Sequence, residues 1–98
     1  MDKLKITWTE QAKEDLKQIY KYWKKKTLQG ANNVRSDILN SPKTILFSEQ
    51  YQIDEVNQKY RRIVVRDNYK VLYKVVRKTI YVLGIVGTGQ SPETLEKK

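Results

Sequence analysis

The feature that most constrains this chain is a change of hydrophobic period near its middle. In the first half, Ala12, Leu16, Ile19, Tyr20 and Trp23 recur three or four residues apart, which is one face of a helix. In the second half, residues 60–66, 69–77 and 80–86 are rich in Val, Ile and Tyr, as strands are, and the helical period is gone. A chain that passes from helical to strand period folds as α+β, with the helices on one face of a mostly antiparallel sheet. At 98 residues it has room for one modest core, so a single domain over residues 1–98 is expected.

The elements can be placed from local signals. Leu4, Ile6 and Trp8 alternate with Lys5 and Thr7, which predicts an N-terminal strand. Thr9 is a suitable N-cap and Glu10 a suitable first-turn residue for a helix over residues 10–25. Gly30 closes a polar connection, and Ala31, Val34, Ile38 and Leu39 predict a second, shorter helix. The two form an αα-hairpin. Ser41-Pro42 predicts an N-cap with Pro at the first helical position and one more helical turn through Ile45 and Leu46. A three-stranded antiparallel meander follows, with turns at Asp67-Asn68 and Lys78-Thr79. The last strand is apolar on both parities and is expected to be central.

Parity then assigns the faces. Arg61, Ile63 and Val65 share one side with Val71, Tyr73 and Val75; Arg62, Val64 and Arg66 share the other with Lys70, Leu72 and Lys74. Like faces meet only across an odd-numbered connection or a bulge. A three-residue connection containing Tyr69 pairs Arg66 with Lys70, Val64 with Leu72 and Arg62 with Lys74. The expected product is a basic sheet face, opposite the core, with two aliphatic residues at its middle.

Charge supports that emphasis. The net charge is +9, and residues 59–78 alone hold 8 basic side chains against 1 acidic. Residues 1–26 hold 8 against 4, with Lys13, Lys17, Lys21 and Lys24 on one side of the first helix. An anionic partner is implied. The chain has no His and no Cys, which excludes disulfides, a thiolate nucleophile, a His general base and ordinary zinc sites. Neither a metal nor a cofactor is expected. Gly84, Gly87 and Gly89 do not open into a helix with a Lys-Ser/Thr pair, so they read as bulge or edge glycines rather than a phosphate loop. Tyr60 and Tyr69 are the tyrosines expected to be exposed beside the cations. Asp54 and Glu55 form an acidic pair, read as a loop cap or as a candidate general base. No segment reaches the ~20 apolar residues of a membrane span, and the first residues show no secretory signal. A cytoplasmic protein without a membrane partner is the expectation.

The layout resembles a known family. Ile6-Thr7-Trp8-Thr9 leads into a helix with Ala12, Asp15-Leu16 and Ile19-Tyr20-Lys21-Tyr22. Tyr60-Arg61-Arg62-Ile63, then Asn68 through Val75, and a closing strand ending in Gln90-Ser91-Pro92 follow. This is similar to the RelE/ParE toxin superfamily of type II toxin–antitoxin systems, over about residues 5–95. The resemblance implies a small basic α+β toxin that arrests growth, works with a cognate antitoxin and forms a toxin–antitoxin hetero-oligomer with it. RelE-like members cut mRNA in the ribosomal A site, whereas ParE-like members inhibit DNA gyrase. On the nuclease reading, Arg62, Lys70 and Glu55 would be catalytic. Arg61, Arg62, Arg66, Lys70, Lys74, Tyr60 and Tyr69 would bind nucleic acid or antitoxin. Val64 stands where the nuclease branch has a second basic residue, Gly89 where it has a late Arg and Leu95 near its terminal Tyr. With His also absent, the pattern favours the ParE-like, non-nuclease branch. A non-toxic binding relic of the fold is the third reading.

Overall fold

The computed structural model describes residues 4–87. Strand β1 (Lys5–Trp8) leads into helix α1 (Glu10–Lys24), then helix α2 (Leu28–Asn40) and a 3-10 turn (Ser41–Thr44). A long irregular segment follows, and then strands β2 (Arg61–Val65), β3 (Tyr69–Val76) and β4 (Thr79–Gly87). They form one sheet in the order β1-β4-β3-β2. β1 runs parallel to β4 and the other pairs are antiparallel, so β4 is interior as expected.

Helix α1 starts where its cap requires. Thr9 Oγ1 accepts from the Ala12 amide at 3.2 Å and donates to the Val82 carbonyl at 2.9 Å. The same residue therefore satisfies an orphan helix donor and ties the helix start to β4. Helix α2 begins earlier than expected. Thr27 Oγ1 accepts from the Gly30 amide at 2.7 Å, which puts Gly30 in the first turn rather than in the connection. A Cβ on Gly30 would lie 2.9 Å from Thr27 Oγ1 and 3.5 Å from the Trp23 ring. Glycine here leaves room for the Thr27 cap instead of breaking the helix. Ser41 is the C-cap of α2 rather than an N-cap: its hydroxyl donates to the Ile38 carbonyl at 2.8 Å. The turn after it is 3-10 and stops at Thr44, short of Ile45 and Leu46.

The helices pack on one face of the sheet. Ala12, Val34 and Ile38 meet Ile63, Val65, Val71, Tyr73, Ile80, Val82 and Ile85, while Trp8, Leu16, Ile19 and Trp23 pack around them. The apolar character of β4 on both parities has a specific cause. Leu72 pairs with Gly84 but Tyr73 pairs with Val82, so Leu83 is an extra, bulged residue. Before the bulge Ile80 and Val82 face the core; after it Ile85 does. Asp15 on α1 stabilises this irregularity, its Oδ2 accepting from the Ile85 amide at 3.0 Å. A Cβ on Gly84 would stand 3.1 Å from the same oxygen, so the close approach favours glycine.

The β2–β3 connection has three residues, as parity demands, but they are Arg66, Asp67 and Asn68. Arg66 and Asp67 adopt φ of 55° and 60°, and the Asn68 amide donates to the Val65 carbonyl. This moves the register by two from the expected one. Val64 pairs with Lys70 and Arg62 with Leu72, while Val65 closes on Tyr69. The β3–β4 turn is likewise Arg77-Lys78, one residue earlier than expected.

Candidate functional site

The sheet face away from the helices is the open face. Cross-strand pairing fills it in rows. Arg62 and Leu72 form one; Val64, Lys70 and Val86 form the next; Lys74, Tyr81 and Thr7 form a third. Val64 and Val86 are exposed and Leu72 is buried.

The long segment before β2 crosses the outer edge of that strand and changes the chemistry of the face. On the helix side, Tyr51 stacks edge-on against Tyr73, and its hydroxyl lies 2.7 Å from Thr44 Oγ1. The chain then runs along β2. The Arg62 amide donates to the Gln52 carbonyl, Ile53 bridges Arg61, and the Asp54 amide donates to the Tyr60 carbonyl. On the open side, the side chain of Asp54 is fully buried between two cations. Its Oδ1 accepts from Lys70 Nζ at 2.8 Å and lies 4.0 Å from Arg62 Nη1. Its Oδ2 accepts from the Val56 and Asn57 amides, closing a tight turn. Burial by itself raises the pKa of this carboxyl. The Lys70 hydrogen bond and charge, with the two amides, outweigh burial and hold it below the ordinary 3.8.

The arginines of β2 are likewise occupied. Arg62 Nη1 donates to the Ile53 carbonyl at 3.0 Å and Nη2 to Gln52 Oε1 at 3.2 Å. Arg61 lies on the helix side by parity and donates to the Tyr51 carbonyl at 2.8 Å. Arg66 leaves the sheet face because its backbone belongs to the turn, and its guanidinium donates to Asp37 of α2 at 2.6 Å. Tyr69 is the first residue of β3 rather than a loop residue; it faces α1 and accepts from Trp23 Nε1 at 2.8 Å. So Arg66, Arg61 and Tyr69 are not part of an open basic face. Arg62, Lys70 and Lys74 are, with half-buried Tyr60 at its margin. Glu55 is exposed, and it is Asp54 that faces Lys70 and Arg62. Positions Gly89 and Leu95 lie outside the described residues. The partnership of Asp54 with Lys70 joins residues 16 apart, and its only trace in the sequence is an acidic residue just ahead of the basic segment.

The sheet order, the helical hairpin on one face and the partly self-covered opposite face define a small α+β domain. The chain is similar to a solved structure described as the chromosomal ParDE TA system from P. aeruginosa. The TM-score is 0.74 and the identity 21%, over 86% of this chain and 95% of that one. No curated protein sequence matches. The family model described as "ParE toxin of type II toxin-antitoxin system, parDE" matches residues 6–92, and the chain belongs to that family. It is thus a type II toxin of the ParE kind, and its family implies a cognate antitoxin as partner. Among the described residues no helix is long and apolar enough to cross a membrane.

Proposed function

We propose that this toxin arrests growth by inhibiting DNA gyrase and not by cutting mRNA. Membership of the ParE family supports the first half of this reading, and the burial of Asp54 against Lys70 and Arg62 supports the second. Metal-free cleavage of RNA needs cations free to stabilise charge at the phosphate, with a base and an acid beside them. Here the two best-placed cations already hold a carboxylate. The exposed acid next in sequence, Glu55, is not the one that meets them. Asp54 acts as an internal neutraliser of the face and as the cap of its own loop.

The cognate antitoxin covers what is left of the open face. Exposed Val64, Val76 and Val86, with Lys74 among them, suit a segment that alternates apolar and acidic residues. Such a segment would bury the valines and neutralise the lysine. Supercoiling assays with purified protein and gyrase test the target. Inhibition of supercoiling, with no new A-site cuts on translating ribosomes, is the expected result; A-site cleavage with gyrase unaffected overturns it. Val64→Asp tests the antitoxin surface and is expected to weaken antitoxin binding while leaving the fold intact. Unchanged antitoxin affinity would move that surface elsewhere. Growth that is equal with and without the antitoxin would count against toxicity itself.

A further inference from the structure

We propose that the outer face of α1 is a second interaction surface, one that binds the phosphate backbone of duplex DNA. Lys13, Lys17, Lys21 and Lys24 are all exposed. At 100° per residue they fall within an arc of about 80°, and they span about 16 Å along the helix. The arc lies away from the core-facing Ala12, Leu16, Ile19 and Trp23, on the side of the molecule opposite the open sheet face. Lys13 is paired with Glu10 at 3.5 Å, and Lys26 lies over the Tyr22 ring. Lys17, Lys21, Lys24 and Lys25 have no ion pair among the described residues. Lysines four apart on one helix repel one another. Proximity to the helix C-terminus offsets this for Lys21 and Lys24 but not for Lys17. A row of this kind is relieved by a polyanion.

The composition of the row selects the polyanion. A peptide partner needs buried apolar or aromatic anchors, and interface cores are poor in lysine. The only exposed large apolar residue of α1 is Tyr22, which lies on the other flank of the helix. Single-stranded nucleic acid needs free aromatic rings to stack on. Tyr20, bordering the row, has its ring covered by Arg35 and its hydroxyl on Asn32. What remains is a line of lysine charges; the flanking Gln18 donates to Glu14 at 2.7 Å and is not free to read a base. That is the chemistry of non-specific backbone contact to DNA. This inference goes beyond the choice of gyrase as target and stands whichever target the toxin has.

Fluorescence anisotropy of the purified full chain with two short duplexes of unrelated sequence, without gyrase, tests it. Both are expected to bind equally, and affinity is expected to fall about 100-fold between ~50 mM and ~200 mM salt, as for about four phosphate contacts. In the triple variant Lys17→Gln, Lys21→Gln, Lys24→Gln the same salt change is expected to cost only about 3-fold. Lys and Gln have similar helix propensity, so the helix is retained. The triple Arg variant should keep the full salt dependence. Absence of duplex binding at low salt overturns the proposal, as does an undiminished salt dependence in the Gln variant. So does tighter binding to an RNA hairpin of equal length. Loss of antitoxin binding in the Gln variant with duplex affinity intact would reassign the row to an acidic protein. The supercoiling assay is independent of all these outcomes, so each proposal can fail alone.

Discussion

The basic strands and the lysine-bearing helix look alike in composition and differ in what their charges do. The strand segment carries the larger excess, yet half of its 8 cations are occupied internally. Arg62 and Lys70 converge on Asp54, Arg66 on Asp37, and Arg61 on a backbone carbonyl. The helix carries a smaller excess and leaves it in water. The difference follows from burial. The Arg62 and Lys70 side chains retain only 19% and 15% of their exposure, and cations so far from solvent need a partner. Lysines on the outer side of a helix need none. Local charge density is therefore a poor guide to where a chain presents charge to a partner; the fraction left unpaired is the better one.

The largest test of this contrast is Asp54→Ala. Removing one partner of a buried pair typically costs about 3–5 kcal/mol, a large part of the roughly 5–15 kcal/mol that holds a small domain together. Urea denaturation should show the midpoint collapse, and a near-wild-type midpoint would show that the strand cations do not need Asp54. Asp54→Asn combined with Lys70→Met should recover part of that loss, because less unpaired charge is left buried. If the double variant is no better than Asp54→Ala, neither the loop cap on the Val56 and Asn57 amides, which Asn can keep, nor the charge left on Lys70 accounts for the loss.

Acidification is expected to act through the same residue. Asp54 titrates below its ordinary value in the folded protein. The stability it contributes is therefore complete above about pH 4 and is lost as the pH falls through the depressed folded value. The urea midpoint should drop with pH in that acidic window in the wild type, and more shallowly in Asp54→Asn.

Smaller effects are expected outside the buried cluster. Arg66→Ala breaks a short pair whose side chains are 44% and 48% exposed. It should cost about 0.5 kcal/mol, declining with salt. Lys17→Gln on α1 should change stability by less than about 0.5 kcal/mol, since it removes no contact. A loss approaching that of Asp54→Ala would mean that the helix lysines are structural after all.

Much of the fold was legible because local patterns carry it. The N-cap at Thr9, the core parity of Ile63, Val65, Val71 and Tyr73, and the odd-numbered β2–β3 connection all follow from spacing and side-chain chemistry. The misplacements arose where two local solutions compete. Gly30 could end a turn or sit in a first helical turn, and the Thr27 hydroxyl on its amide makes it the latter. Two connections of equal length, residues 66–68 and 67–69, satisfy the same parity. The one adopted takes Arg66 off the strand, and with it one charge of the expected basic face.

The class of fold, the order of elements along the chain, the faces of β2 and β3 residues and the family can all be read from the sequence. These depend on period, and period is read along the chain. Which basic residues remain available is settled by packing alone. That depends on where one aspartate in an irregular segment comes to rest. Asp54 reaches Lys70 because residues 52–54 bridge the edge of β2 and carry the carboxylate over the open face. No periodic signal encodes a contact between an irregular segment and a strand. The desolvation of the two cations makes that contact necessary, and desolvation exists only once the chain has folded.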